Sequence, residues 1–163
     1  MAMQINNDIV LLLVRFLLGV LFIYGHGWKK IKDIKSTIKM FSEMGFKPGV
    51  FWGTFIALLE TVGAILLILG IYTHLFAALF GAMMITAIIW KKKIGKIWEA
   101  YELDVVILAL ALTIMSVGSG KYILVNFPYS FMTWTWAIIA IFVSIVIAFL
   151  PQIFGKPYQN WKA

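Results

Sequence analysis

IVLLLVRFLLGVLFIYGHGW (9–28) decides the fold. It is an apolar run of about 20 residues, the length a helix needs to cross a bilayer, and Lys29 and Lys30 follow it at once. Inside the run stands Arg15, the only arginine in a chain with thirteen lysines. Lysine is a point charge, whereas the planar guanidinium can grip a carboxylate with two parallel hydrogen bonds. A lone charge at membrane depth costs roughly 2.5 to more than 10 kcal/mol, so it calls for a named partner. The expected partner is Glu60, the other unambiguous charge inside an apolar run.

The whole chain agrees with this opening. Of 163 residues, 63% are hydrophobic and 13% charged, against roughly half and a quarter in soluble domains. The composition therefore implies an integral membrane protein forming a single membrane domain over 1–163. The net charge of +7 does not point to nucleic acid, because the lysines cluster between apolar runs, as in loops that set membrane orientation. Cysteine is absent, which excludes thiol redox chemistry and Cys-ligated iron–sulfur clusters on this chain. The first run lacks a positive segment before it and is read as a retained helix, not a cleaved signal peptide.

Five spans are expected, at about 9–28, 50–72, 74–90, 101–117 and 131–150. With five spans and the N-terminus outside, twelve lysines face the cytoplasm and Lys121 alone faces out. The positive-inside rule thus selects N-out, C-in. Between the first two runs, Ile31, Ile34, Ile38 and Phe41 recur at steps of three and four with lysines between them. That pattern predicts a basic amphipathic helix on anionic headgroups, with Lys29, Lys30, Lys32, Lys35 and Lys39 at the membrane surface. The predicted architecture is an all-α bundle of four spanning helices, a fifth C-terminal spanning helix and this interfacial helix.

Helical spacing places Arg15, Gly19, Phe22 and His26 on one face of the first span, and Gly53, Ala57, Glu60 and Ala64 on one face of the second. Ala78, Ala82 and Thr86 follow each other on the third. Glu102, Val106, Ala109, Thr113 and Ser116 align on the fourth. Small and hydroxyl residues let membrane helices approach and bond across them, so these faces are expected to look inward. The result is a polar line with Arg15 and Glu60 paired at mid-depth and His26 and Glu102 at the inner mouth. Tyr24 and Tyr101 are further candidates beside it.

Three stretches, RFLLGVLFIYGHGWKK (15–30), LLETVGAILLILGIYTHLFAALFGAMM (58–84) and YELDVVILALALTIMSVGSGKYIL (101–124), carry a family likeness. The chain resembles the DoxX family of small prokaryotic membrane proteins over about 9–125. Arg15, Leu18, Gly19, Gly27 and Lys30 match its first-helix pattern. Glu60, Gly63, Gly70 and Thr73 match its second, with Ala64 where a glycine is usual. Glu102 and the run Gly118, Gly120, Lys121, Tyr122 match the fourth. The resemblance implies a four-helix core in the prokaryotic cytoplasmic membrane, with the span at 131–150 beyond it. It also implies a link to membrane redox, since related DoxD proteins are subunits of a thiosulfate:quinone oxidoreductase.

Three functions are then in view. One is a membrane subunit of a respiratory or redox complex that helps to bind quinone at an Arg15/Glu60 polar core, beside other membrane or peripheral redox subunits. Another is a non-catalytic structural or assembly subunit, for which the same pair is only a clasp between helices. The least supported is a small-solute transporter, for want of an inverted repeat or broken-helix signal. Enzyme activity is expected only as part of a quinone-linked oxidoreductase. No covalent cofactor is expected. Haem is disfavoured because His26 and His74 fall on opposite sides of the membrane, and no metal-ligand spacing stands out.

Overall fold

The computed structural model describes residues 7–124, with isolated positions at 138, 139, 142 and 146. Five helices carry the described chain: α1 (Asn7–Lys32), α2 (Ile34–Glu43), α3 (Gly49–Leu69), α4 (Thr73–Lys93) and α5 (Glu102–Val117). No strand occurs among the described residues. α1, α3 and α4 are long and apolar enough to cross a membrane. α5 has 16 residues, short of the roughly 17–25 of an untilted span. The expected span at 131–150 lies outside the described residues.

Local chemistry sets the boundaries. Asp33 breaks the end of α1 and caps α2, its carboxylate accepting from the Ser36 amide at 3.1 Å, which satisfies one of the orphan donors of a first turn. Gly70 closes α3 at φ 76°, a left-handed cap that glycine reaches without steric cost. α2 is amphipathic as its spacing requires. Its inward face, however, packs on the first turns of α3, where the Ile38 backbone lies against Gly53.

α1, α3, α4 and α5 share one apolar core. Leu18, Phe22, Leu67, Phe80, Ile107 and Ile114 are fully buried in it, and the rings of Phe22 and Phe80 stack at 4.1 Å between centroids. The predicted inward faces hold on α3, where Gly53, Ala57, Glu60 and Ala64 are all buried. They also hold on α1 through Arg15, Gly19 and Phe22. On α5 the expectation is overturned. Glu102, Val106, Ala109, Thr113 and Ser116 are exposed, and Asp104, Ile107, Ala111 and Ile114 face the core. The hydroxyls explain the error. Thr113 and Ser116 donate to carbonyls one turn back, at 2.9 and 2.8 Å, so they are satisfied within their own helix and need no interior partner.

Glycines fix how α1 and α3 meet. Gly19 sits against Ala64 and Ile68, and Gly27 against the Glu60 carbonyl and the Thr61 hydroxyl. A methyl group at Gly27 would stand 2.7 Å from the Glu60 carbonyl oxygen. A methyl at Gly81 would meet nothing closer than 3.6 Å. Gly27→Ala is therefore expected to destabilise the bundle by about 1–3 kcal/mol. Gly81→Ala should leave it unchanged or stabilise it by up to about 1 kcal/mol. Thermal unfolding in detergent, followed by circular dichroism, compares the two.

Candidate functional site

Helix packing places the buried charges differently from the sequence-based expectation. α1 and α3 run antiparallel, with Gly27 level with Glu60 and Arg15 beside Gly70. Twelve residues separate Arg15 from Gly27, about 18 Å along the helix at 1.5 Å per residue. Side chains also lean toward the N-terminus of their own helix. In an antiparallel pair that lean carries Arg15 and Glu60 apart. The expected Arg15–Glu60 pair does not form, and Oε1 of Glu60 is taken by Lys30 Nζ at 2.5 Å. α1 continues past Trp28 to Lys32, so Arg15 and Glu60 do not share one depth.

Arg15 serves the other end of the bundle. It is fully buried, and its Nη2 donates to the Tyr122 carbonyl. Nearby, the Lys121 amide donates to Asp8 Oδ1 at 3.1 Å and Lys121 Nζ pairs with Asp8 Oδ2 at 3.6 Å. The Leu124 amide donates to the Leu69 carbonyl at 2.9 Å. Arg15 thus belongs to a set of bonds that straps the segment after α5 across the ends of α1 and α3. Arg15 and the run Gly118, Gly120, Lys121, Tyr122 each stood out in the sequence as a separate motif. That they touch was not evident there.

At the lysine-rich end, two ion pairs follow one plan. Lys30 near the end of α1 covers Glu60 of α3, with side-chain exposures of 21% and 5%. Lys91 near the end of α4 pairs with Asp104 of α5 at 2.6 Å, and its ammonium also donates to the Ala100 carbonyl at 2.9 Å. In each pair a partly exposed lysine shields a more deeply buried carboxylate. His26 is exposed beside them, within Coulombic range of Glu60, Lys30, Asp104 and Lys91. Oε2 of Glu60 is buried without a hydrogen-bond partner among the described residues.

The backbone at this end is also distinctive. Ile23–Gly27 and Leu59–Gly63 are π-helical turns inside α1 and α3, and they pack on each other through Gly27 and Thr61. Such turns rotate the helix face and recur at functional sites. Here they carry His26 and Glu60. Thr61 stays satisfied by donating to the Ala57 carbonyl at 3.0 Å.

The remaining sequence candidates separate from this cluster. Tyr24 is 75% exposed and points out of the bundle. Tyr101 precedes α5 and packs edge-on against Trp98 at 5.4 Å. Glu102 is exposed, and the acid turned inward is Asp104, two residues on. Of the lysines expected at the membrane surface, Lys30 covers a buried carboxylate, and Lys29, Lys32, Lys35 and Lys39 are exposed. Lys91 and Asp104 went unnoticed in sequence. Trp-Lys-Lys lies near the end of both α1 and α4, at 28–30 and 90–92, but the pairing lysine is the last of the triplet in α1 and the middle one in α4. Among the described residues no group of three His, Cys, Asp or Glu is placed to hold a metal ion.

A small helical membrane protein with lysine-capped carboxylates at one end and an arginine strap at the other is the class these features define. The chain belongs to the DoxX family, whose pattern it matches over residues 10–93. A relative from Bacillus subtilis (strain 168), named "Putative oxidoreductase CatD", is 30% identical over 117 residues, covering 72% of this chain and 85% of the relative. No solved structure matches the chain.

The separation of the two charges has a direct test. Removing the guanidinium in Arg15→Met should cost about 1.5–3 kcal/mol, the worth of a hydrogen bond from a charged donor. In a double-mutant cycle, Arg15→Met and Glu60→Gln should add to within about 0.5 kcal/mol, as distant sites do. Lys30→Met and Glu60→Gln should instead couple by about 0.5–3 kcal/mol. Unfolding free energies of the three single and two double variants measure both.

Proposed function

We propose that this protein is a membrane subunit of a redox complex and that it helps to hold a quinone headgroup at the lysine-rich end of the bundle. One observation carries this reading: His26, Lys30–Glu60 and Lys91–Asp104 converge there from four helices. The name of the Bacillus relative is consistent with a redox role. The donor set fits the ligand. A quinone head presents carbonyl oxygens, which need N–H donors, and the Lys30 and Lys91 side chains keep 21% and 31% of their surface exposed with His26 open beside them. The carboxylate behind each ammonium holds it in place and offsets its charge. Mid-bundle is a poor location by comparison, because Phe22, Phe80, Leu18 and Leu67 fill it.

A quinone, when bound, supplies an acceptor for electrons and protons. The chain's own part is to position the head and exchange protons at its polar end. His26 is the residue type suited to proton exchange near neutral pH. In the proposed orientation this end faces the cytoplasm, where the lysines of α2 and of the α4–α5 connection lie on the positive-inside side. Other membrane or peripheral subunits would supply the electrons. A structural or assembly role is the second reading, favoured by the filled core around the Phe22–Phe80 stack.

A photoreactive quinone analogue in reconstituted vesicles is expected to label the α1 segment around His26 and the facing turn of α3. Excess unlabelled quinone should compete, and Lys30→Met should lower labelling several-fold while circular dichroism stays unchanged. Labelling spread over the lipid-facing helix surfaces, indifferent to competitor, would leave the structural reading. In the same vesicles, a cysteine introduced at Lys96 should be shielded from an impermeant maleimide added outside right-side-out vesicles, and one at Lys121 should react.

A further inference from the structure

α4 is covered where a lipid-facing helix would be open. Ala77, Phe80 and Met84 turn one side of it to the core, and Gly81 lies against Leu108 and Ala111 of α5. Leu75, Leu79, Ala82 and Thr86 fall on the opposite side by helical spacing. That side should be open to lipid, yet no residue from Thr73 to Lys91 is exposed. The other membrane-length helices do show open apolar faces, with Leu17 of α1 and Val50 of α3 both 62% exposed. α5 is open as well, its small-residue side of Ala109, Thr113 and Ser116 included.

The chain itself holds a fitting cover. The run from Phe131 to Leu150 contains no charge. As a helix it would measure about 30 Å, close to the length of the 21-residue α4. Four of its positions are described: Ile138, Ile139, Phe142 and Val146 are helical and exposed, and they share one face. Helical spacing puts Thr133, Ala137, Ala140, Ser144 and Ala148 on the other face. Small and hydroxyl residues let membrane helices approach closely, and Ala82 and Thr86 offer the counterpart on α4. The connection also leads there. Gly118 lies beside His74 in the first turn of α4, and the Leu124 amide is bonded to Leu69 at the end of α3. Phe131 follows seven residues later, a reach of at most about 25 Å, which is short of the roughly 30 Å apolar core of a bilayer.

We propose that the run 131–150 is a helix that starts at the Thr73 end, runs parallel to α4 and closes its outer side, small face against small face. The α5 side of Ala109, Thr113 and Ser116 stays open. This packing is independent of any quinone chemistry.

Cysteine is absent from the chain, so paired substitutions report the contact without background. In the full-length protein in vesicles, Ala82→Cys is combined in turn with Ala137→Cys, Ala140→Cys and Ser144→Cys, and each pair is oxidised with copper phenanthroline. A disulfide needs Cα atoms within about 7 Å. At least one pair should link within a single chain, read as joined tryptic peptides from protein that still migrates as a monomer without reductant. The yield should fall at least several-fold when the second substitution is Phe142→Cys, or when the first is Thr113→Cys on α5. Thr86→Cys replaces Ala82→Cys if the latter loses its helical circular dichroism. Links that join two chains would overturn the proposal. So would a preference for Thr113→Cys, or the absence of any link to α4 in variants whose helical spectrum is unchanged.

Discussion

Antiparallel packing of α1 on α3 is the constraint from which the polar architecture follows. Each helix is apolar enough to lie in lipid, and each buries a charge that lipid cannot solvate. Glycines at 19 and 27 bring the two backbones close and set their register. Once that register is set, the lean of side chains along a helix sends Arg15 toward one end and Glu60 toward the other. Each charge then has to be satisfied locally. Arg15 does this by donating to the backbone carbonyl of Tyr122, and Glu60 by accepting from Lys30. The bundle therefore has two polar ends and a filled apolar middle, where Phe22 stacks on Phe80.

The two ends differ in character. The Arg15 end is built from backbone acceptors and one exposed ion pair, and it straps a connecting segment in place. The lysine-rich end is built from side chains whose polar atoms are incompletely shielded, with His26 exposed and the Glu60 carboxylate behind it. Burying an ion pair seldom adds stability over an apolar pair of the same shape, because desolvation offsets the attraction. Two such pairs stand at one end of a small bundle, carried partly on π-helical turns, and stability alone is a weak reason for them. α2 docks its inner face on α3 through Ile38 and Ser42 and leaves Lys35 and Lys39 exposed.

Much of this was legible in the sequence, and the failures have physical causes. The apolar runs at 9–28, 50–72 and 74–90 located three membrane-length helices to within about four residues at each end, because length and hydropathy are local properties. The inward faces of α1 and α3 were legible because their small residues serve close backbone approach. The α5 face was misread because Thr113 and Ser116 bond within their own helix, so a hydroxyl there carries no information about the interior. The partner of Arg15 was misread because register between helices is a tertiary property. Spacing within one helix predicts which residues share a face, but not which residue of the next helix lies level with them. Lys91 and Asp104 were hidden for the same reason, each lying in a charged border that reads as a solvated helix end.

The division of the charges between the two ends can be measured at a single residue, because Arg15 is the only arginine. Labelling arginine guanidinium nitrogens with nitrogen-15 and glutamate carboxyl carbons with carbon-13 makes Arg15 the sole arginine observed in a dipolar-recoupling solid-state NMR experiment in bilayers. A parallel sample labels lysine ammonium nitrogens instead. The account predicts a close lysine–glutamate contact that disappears in Lys30→Met, and no arginine–glutamate contact. An arginine–glutamate correlation that disappears in Glu60→Gln would contradict it.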